Sequence, residues 1–450
     1  MGVLRRLPLD HVVEATLACT IVLFACGSSS VPDLFRFGGP ARWVGLAALG
    51  VVVFGWALVD GRRPRRLPGA WLLAAGFVAL CLLSAAWSVS PRLTVERTAT
   101  LSVLLAIACL AAVAALGRED GMAAVLRGIL GGAALVAVAG LLVLAFDHHA
   151  AVQSADAGSG WRFRGLGENP NTSSMLFAVA LPLTVWLLAG RSRREQLVGA
   201  ALGLLFSGSI AVSGSRGALV AGFAGAAVVA ASLPATRRAR AVLLALVAVV
   251  FVVSGVVSKL PKPVSLESTF AKPRPAQRKT VGIDLQNLIR LEDEIGRPPG
   301  GAYRPPQQRR FFSFGARGAG WGAGLHQGAK RPVTGYGFGT EGRVFVDRSS
   351  IFLGGLPENS YIGVFLQIGL VGLLLFLALV GALARNGVEA LRRLPVARRA
   401  QPVVAGAVLL VALILGIGQS SLYSVGNIAT VSIWLCALAL PMLLEREVRP

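Results

Sequence analysis

Charged residues, and acidic residues above all, are scarce in this chain of 450 residues. Only 15% of the residues are charged, and 44 lysines and arginines face 22 acidic residues, which gives a formal net charge of +22. Soluble domains carry about 25% charged residues, whereas this chain is 54% hydrophobic with a mean hydropathy of +0.67. The composition therefore excludes an ordinary soluble domain and predicts an integral membrane protein.

Features of metal, disulfide and nucleotide sites are also few. The five cysteines lie in apolar stretches without a CxxC pair, which indicates small buried side chains. His148 and His149 are adjacent, but no further metal ligand is near them in the sequence. No Walker A lysine motif is present, and the GxGxxG spacing that begins at Gly337 lacks the strand and helix of a dinucleotide-binding unit. We therefore expect no cofactor and no metal.

Long apolar stretches are what the chain has in abundance. A helix needs about 20 apolar residues to cross the hydrocarbon core of a bilayer, and a transmembrane strand needs about half as many. The stretches lie at 12–27, 43–60, 69–88, 99–117, 122–146, 172–190, 197–213, 217–233, 241–258, 359–384, 403–420 and 427–445. They predict an all-α integral membrane protein with about 12 transmembrane helices and one large extracytoplasmic loop before helix 10.

Clusters of arginine predict the orientation of these helices. Such clusters follow the second, sixth, eighth and tenth stretches, and Arg5 and Arg6 precede the first. All of them fall on one side of a twelve-helix arrangement, and the positive-inside rule assigns that side to the cytoplasm. We therefore expect a multi-pass protein of the bacterial cytoplasmic membrane with both termini cytoplasmic. The rule also accounts for the net charge, so no nucleic acid partner is predicted.

Three segments follow from this topology. Residues 1–258 contain transmembrane helices 1–9, residues 259–357 form the large extracytoplasmic loop, and residues 358–450 contain transmembrane helices 10–12. Residues 262–310 of the loop are rich in proline and charge, and we expect them to be flexible. Residues 314–357 carry aromatics, glycines and arginines, and we expect them to fold back onto the membrane surface.

Three arginines are candidate anion-binding residues on the outer side: Arg164, Arg216 and Arg317. Small residues flank Arg216, and no acidic residue lies near it along the turn, so a guanidinium directed into the bundle would need an anion such as a phosphate. The alternative is that each arginine is an interfacial anchor or an ordinary loop charge. Together, three positive charges above one face would suit a diphosphate.

Glu358 is the candidate proton acceptor, because it follows Pro357 at the start of the tenth predicted helix. A carboxylate at this position can cap the helix, since the helix dipole favours it, or it can act as a general base. Partial burial at an interface would raise its pKa and improve it as a base. His326 in the loop is a second candidate base.

The order of these motifs resembles that of the O-antigen ligase and polymerase superfamily of membrane glycosyltransferases. The resemblance includes the helix count and the large loop before the tenth helix. The local motifs are Arg164 through Asn171, Ser215-Arg216-Gly217-Ala218-Leu219, Arg317 with Trp321 and Pro332, Gly335-Tyr336-Gly337-Phe338-Gly339-Thr340, Glu358-Asn359-Ser360-Tyr361 and Gly369-Leu370-Val371-Gly372. The ligases carry a histidine where this chain has Glu358, which is a departure from the family pattern.

The resemblance implies a metal-independent membrane glycosyltransferase of surface polysaccharide biosynthesis. Such an enzyme moves a glycan from an undecaprenyl diphosphate carrier to an acceptor hydroxyl on the outer side of the cytoplasmic membrane. Its partners would be the lipid-linked donor, a glycan, lipid or wall-polymer acceptor, and membrane lipids. The implied catalytic residues are Glu358, Arg216 and Arg317, and the implied substrate-binding residues are Arg164, Asn169, Asn171, Asn359 and Tyr361. Polymerase and ligase differ only in the acceptor, which the sequence leaves open.

Two other functions also fit a polytopic helical bundle. A transporter or a flippase for lipid-linked glycans predicts charged residues within the spans and broken helices near the bilayer centre. Apart from Glu14, Arg127 and the glycine-rich seventh and eighth spans, the interior of the predicted spans has few such features. A non-catalytic assembly subunit is the third hypothesis, and it predicts that exchange of Glu358 changes complex formation but no glycan product.

Overall fold

Helices dominate the described part of the chain. The computed structural model describes residues 9–61, 66–118, 120–153, 162–190, 192–233, 236–258, 317–345, 356–396 and 398–448. The helices are α1 (Leu9–Cys26), α2 (Pro32–Asp60), α3 (Gly69–Leu83), α4 (Pro91–Leu116), α5 (Gly121–Phe146), α6 (His148–Ala151), α7 (Pro170–Leu188), α8 (Arg193–Ser213), α9 (Arg216–Ser232), α10 (Arg237–Val257), α11 (Arg317–Ala329), α12 (Glu341–Val344), α13 (Ser360–Arg393), α14 (Ala400–Gly418) and α15 (Thr430–Val448). The strands β1 (Val152–Gln153) and β2 (Arg162–Phe163) pair antiparallel. The segment 262–310, which we expect to be flexible, lies outside the described residues.

Ten of the described helices are long and apolar enough to cross a membrane. Two shorter apolar helices, Arg216–Ser232 and Thr430–Glu445, fall where the eighth and twelfth stretches were predicted. A helix satisfies its own backbone hydrogen bonds, which is what a chain in lipid requires. The predicted class, an all-α polytopic membrane protein, is thereby confirmed.

Several helices are longer than the apolar stretches that predicted them. The stretch at 43–60 becomes α2, which begins at Pro32, and the stretch at 359–384 becomes α13, which ends at Arg393. Pro32 suits a first helical position because its missing N–H is not needed there. Hydropathy detects only the apolar part of such a helix, whereas the backbone continues into polar sequence at both ends.

Ion pairs join the helix ends on the side of the predicted cytoplasmic loops. Arg118 contacts the carboxylates of Asp10 and Asp60, each at 2.9 Å. Arg127 on α5 contacts Glu14 on α1 at 2.6 Å, so the two charges within predicted spans neutralise each other. Charged residues within the spans were a feature expected of a transporter, and here these two charges are paired with each other.

The loops at the opposite end of the bundle converge on one another. The N–H of Glu168 donates to the carbonyl of Ser28 over 2.6 Å, and Ser29 forms an isolated antiparallel bridge with Gly167. The hydroxyl of Ser30 donates to the carbonyl of Ala150 over 2.9 Å. All the predicted site residues lie at this end, which we call the loop face.

Helix α9 is held at the centre of one half of the bundle by small residues. A Cβ atom on Gly222 would lie 3.0 Å from the Cα of Ala178 on α7. A Cβ atom on Gly225 would lie 3.1 Å from the carbonyl oxygen of Ala407 and 2.5 Å from a methyl of Val411, both on α14. These close approaches fix the depth of α9, and therefore the position of its first residue, Arg216, between α7 and α14.

Candidate active site

Helix α13 is broken nine residues after it begins. Ile368 (φ −129°, ψ 18°) and Gly369 (φ 66°, ψ −165°) leave helical geometry. A Cβ atom on Gly369 would lie 2.2 Å from the carbonyl oxygen of Val333, so both the positive φ and the close backbone require glycine. The N–H of Leu370, freed by the break, donates to the carbonyl of Pro332 over 2.8 Å. The break is thus filled by the loop that precedes α13.

The glycine-rich run 335–340 supplies the remaining partners of the broken helix. The N–H of Tyr336 donates to the carbonyl of Leu366 over 3.2 Å, and the N–H of Gly337 donates to the carbonyl of Gln367 over 2.7 Å. The side chain of Gln367 in turn accepts from the N–H of Gly339. The glycine-rich run therefore docks this loop onto the broken helix.

Glu358 and Arg317 form an ion pair at the start of α13. The Nε of Arg317 donates to the Oε2 of Glu358 over 2.7 Å, and the two side chains are 32% and 34% exposed. Both groups can therefore be reached by a substrate. Glu358 has a φ of 48°, the left-handed region in which side chains other than those of glycine and asparagine are disfavoured by about 1–2 kcal/mol. Such strain is commonly kept at functional positions.

The helix cap is Asn359 and not the preceding glutamate. The Oδ1 of Asn359 accepts from the N–H groups of Tyr361 (2.9 Å) and Ile362 (3.0 Å). Its Nδ2 donates to the carbonyl of Ile417 over 2.9 Å, and the hydroxyl of Tyr361 donates to that of Leu413 over 3.0 Å. These contacts fasten the start of α13 to the end of α14. The predicted sugar-binding roles of Asn359 and Tyr361 stay predictions.

Arg216 and Arg317 lie at the same level of the loop face. Gly225 of α9 faces the segment of α14 between Ala407 and Val411. Arg216 lies about nine residues before Gly225 on α9, and Gly418 lies about nine residues after the facing segment on α14. Because the two helices are antiparallel, both offsets lead toward the loop face, by roughly 14 Å at about 1.5 Å per residue. A Cβ atom on Gly418 would lie 3.9 Å from an Nη atom of Arg317. The two cations therefore lie at the same level, Arg216 at the start of α9 and Arg317 beside the end of α14, which packs against α9.

Arg162, which was not among the predicted site residues, supports the turn that carries Arg216. Its Nε donates to the carbonyl of Ser213 over 2.7 Å, and its Nη2 donates to the Oδ1 of Asn171 over 3.3 Å. The hydroxyl of Ser213 bonds to that of Ser174 over 2.7 Å. The start of α9 is thus joined to β2 and to the start of α7.

Arg164 and Asn169 make local contacts in the described structure. The guanidinium of Arg164 donates to the carbonyls of Ala150 (2.8 Å) and His149 (3.1 Å). Asn169 is the N-cap of α7 and accepts from the N–H of Asn171 over 2.9 Å. Their substrate-binding roles stay predictions, and the contacts show how each residue stabilises the loop between α5 and α7.

A buried carboxylic acid lies beside Gly363, one helical turn into α13. Glu341, at the start of α12, is 7% exposed and its Oε2 accepts a short hydrogen bond from the hydroxyl of Tyr423. A Cβ atom on Gly363 would collide with both groups, so glycine makes room for the pair on α13. Burial raises the pKa of Glu341 to about 7, although the Tyr423 hydrogen bond and the charge of Arg97 lower it. Burial and the neighbouring Glu341 raise the pKa of Tyr423 well above its usual value.

No residues of the described part of the chain form a cluster of three or more metal-ligating side chains. His148 and His149 face each other edge to face with ring centroids 6.0 Å apart, at the exposed end of the loop face. His326 is exposed on α11. The roles of these histidines as ligand or base stay predictions.

The fold and this constellation define a class: a polytopic membrane protein whose reactive groups gather at one end of a helical bundle. Residues 200–377 match the family model described as O-Antigen ligase. No curated protein matches the chain. The match includes Arg216, Arg317 and Glu358 and stops short of Arg164, and it confirms the resemblance to the O-antigen ligase and polymerase superfamily. The match supports a ligase- or polymerase-like function in surface polysaccharide synthesis for this part of the chain.

Proposed function

We propose that this protein transfers a glycan from undecaprenyl diphosphate to an acceptor hydroxyl on the extracytoplasmic side of the cytoplasmic membrane. The observation that carries the proposal is the meeting of Arg317 and Glu358 at the start of α13, at the level of Arg216. A diphosphate needs cations, and an attacking hydroxyl needs a proton acceptor. Both are present within one constellation.

The ion pair can couple binding of the donor to release of Glu358 from Arg317. While Glu358 pairs with Arg317 at 2.7 Å, its Oε2 is occupied by the guanidinium and does not face an acceptor hydroxyl. A donor diphosphate, with more charge than one carboxylate, draws Arg317 toward itself. Glu358 is then free to face the acceptor hydroxyl, so the base becomes active only when the donor is bound.

The reaction is a substitution at the anomeric carbon with inversion. The acceptor oxygen forms a bond to that carbon as the bond to the diphosphate oxygen breaks, and the hydroxyl proton passes to the Glu358 carboxylate. Arg216 and Arg317 stabilise the charge that grows on the departing undecaprenyl diphosphate. All steps use side chains of the chain itself, so the proposed reaction is metal-independent.

The proposed orientation places the loop face outside the cell and both termini in the cytoplasm. The arginine clusters at the opposite end of the bundle support it through the positive-inside rule. A cysteine at Leu325, which is 49% exposed on α11, should react with a membrane-impermeant maleimide in intact cells. A cysteine at Val388, 44% exposed near the end of α13, should react only after the cells are opened. The reverse pattern would overturn the orientation.

The direct test uses purified protein and the lipid-linked glycan fraction extracted from a deletion strain. Glu358→Gln, Arg317→Gln and Arg216→Gln should each lower product formation at least about a hundredfold, as loss of a general base or of a charge-stabilising group does. Arg36→Gln, an exposed change on α2 at the loop face, is the matched control and should retain wild-type activity. Wild-type rates in all three site variants would refute the mechanism.

The break in α13 is the observation that favours the second candidate function, a transporter or lipid-linked glycan flippase. Transporters use broken helices whose free backbone groups bind substrates or ions. Here segment 332–337 already bonds to Leu366, Gln367 and Leu370. The break therefore docks a loop, which supports transfer over transport.

A further inference from the structure

A second pair of arginines lies on the loop face, on the other side of the bundle from Arg216. Gly50 of α2 faces the side chain of Ile107 on α4, because a Cβ atom there would lie 3.2 Å from it. Helices α2 and α4 run in the same direction. Arg42 lies about eight residues before Gly50, and Arg97 lies about ten residues before Ile107, so the two arginines lie at the same level. The two guanidinium groups are close enough to repel each other.

This level is near the outer boundary of the hydrocarbon core. The 29 residues of α2 span about 44 Å at about 1.5 Å per residue, which exceeds a core of about 30 Å. Arg42 lies about ten residues from the loop-face end of α2, and Arg97 lies about six residues from the start of α4. Phosphate groups of membrane lipids and lipid-linked glycans lie at this depth.

The charge of this second pair is poorly compensated in the described residues. Arg42 stacks on the ring of Trp43 at 5.0 Å and makes one long hydrogen bond, 3.5 Å, to the carbonyl of Gly27. Its Nε is buried and has no hydrogen-bond partner among the described residues. Glu341 is the acidic group that interacts with Arg97, and it is buried against Tyr423 with a pKa raised by that burial. Two cations with an unused donor fit an anionic ligand.

One loop connects the two cationic positions. Gly418, at the end of α14, lies beside Arg317, and Gly426, eight residues later, would place a Cβ atom 3.5 Å from an Nη atom of Arg42. Tyr423, between them, holds Glu341. Eight residues span at most about 28 Å, which bounds the distance between the two positions.

We propose that Arg42 and Arg97 bind a phosphate group of the acceptor, while Arg216 and Arg317 bind the diphosphate of the donor. The inference rests on the proposed function and extends it. Inversion requires the attacking hydroxyl to approach from the side opposite the leaving group, so the acceptor needs an anchor separate from the one that holds the donor diphosphate. Arg42 beside Gly426 and Arg317 beside Gly418 are two such separate positions. The acceptor is accordingly a phosphate-bearing amphiphile rather than a neutral glycan.

The binding test uses the full chain in phosphatidylcholine nanodiscs with undecaprenyl diphosphate as the probe. The wild type should bind it in two phases, because both arginine pairs recognise phosphate. The double variant Arg42→Gln/Arg97→Gln should lose one phase, and Arg216→Gln should weaken the other at least about tenfold. The matched control, Arg36→Gln/Arg92→Gln, changes exposed arginines on the same two helices and should retain both phases. A single phase in the wild type, or two in Arg42→Gln/Arg97→Gln, would overturn the proposal.

A kinetic arm separates this inference from the proposed function and from lipid binding. With the extracted lipid-linked fraction, Arg42→Gln/Arg97→Gln should raise the KM for the acceptor about tenfold or more and leave the KM for the donor unchanged. If the wild type transfers glycan and this variant matches it, the inference fails and the proposed function stands. If the wild type transfers nothing, the proposed function fails first. Competition by phosphatidylglycerol nanodiscs for the Arg42-dependent phase would assign the site to a lipid headgroup and refute the acceptor role.

Discussion

Arg317 donates from its Nε to the Oε2 of Glu358 over 2.7 Å, across 41 positions of the chain. The contact joins the described start of α11 to the residue that precedes the cap of α13. Because both side chains are about one-third exposed, the pair contributes less than about 1 kcal/mol to stability. The pair therefore adds little to folding, and its accessibility suits a chemical role.

The first prediction concerns how the two members of this pair divide the work. Glu358→Gln should lower kcat at least about a hundredfold and leave donor binding intact or tighter, since Arg317 loses its competitor and remains free for the diphosphate. Arg317→Gln should weaken donor binding as well as kcat. Separate measurement of kcat and donor affinity checks this division. Equal losses of donor affinity in both variants would contradict it.

The second prediction concerns the strained backbone of Glu358. At a φ of 48°, Glu358→Gly should be more stable than Glu358→Ala by roughly 1 kcal/mol, because glycine adopts this region without a Cβ penalty. Both variants lack the carboxylate, so both should be inactive, and their difference isolates the strain. Thermal unfolding of the two purified variants in the same detergent measures it. A Glu358→Ala variant as stable as Glu358→Gly would show that the backbone relaxes elsewhere.

Hydropathy and arginine positions were sufficient to predict the helical class and the approximate place of every long helix. The reason is that lipid imposes a local requirement, an apolar stretch of sufficient length, which each segment meets on its own. The break at Gly369 could not be predicted in this way. It depends on backbone contacts from Pro332 and Val333, more than 30 positions earlier.

The candidate site was predictable only where the family motifs reach. Arg216 and Arg317 stand in such motifs, Glu358 takes the position of the family histidine, and the structure brings Arg317 and Glu358 into contact. Glu341 and Tyr423 were missed because the pair is formed across 82 positions, and neither residue stands in a distinctive local pattern. The presence of an acid within a glycine-rich run could have indicated Glu341.

The third prediction concerns the docking of the glycine-rich loop. A Cβ atom on Gly337, which has a φ of 102°, would lie 2.2 Å from the Oγ and 2.8 Å from the Cα of Ser88. Gly337→Ala should therefore displace the loop from α13 and destabilise the protein by about 2–4 kcal/mol, with loss of transfer activity. Gly322→Ala is the matched control, because a Cβ atom on this exposed glycine of α11 meets nothing within 4 Å.

Alanine favours a helix over glycine by up to about 1 kcal/mol, so Gly322→Ala should retain or gain stability. Thermal unfolding and limited proteolysis of the loop measure both variants. A Gly337→Ala protein with wild-type proteolysis and activity would contradict the docking account.

The fourth prediction concerns pH. Burial raises the pKa of Glu341 from 4.5 to about 7, so the folded protein takes up a proton that the unfolded chain releases between those values. Below about pH 4.5 Glu341 is protonated in both the folded and the unfolded state, so its burial does not place a charge in the fold. As the pH rises from there through about 7, the free energy of unfolding falls. Above that pH the fold bears the full cost of a buried carboxylate, roughly 3 kcal/mol at about 1.4 kcal/mol per pKa unit.

Glu341→Gln removes this titration and can still accept the hydrogen bond from Tyr423. Its unfolding temperature should therefore fall less than that of the wild type between pH 5 and pH 8, and it should exceed the wild type at pH 8. Arg97 and Tyr423 are the charged and titratable groups that interact with Glu341 in the described structure. Arg97→Gln should steepen the decline, since its charge lowers the pKa of the acid. Glu96→Gln, an exposed change on α4, is the control and should follow the wild type. Parallel curves for Glu341→Gln and the wild type would mean that Glu341 is already ionised, or never ionises, across this range.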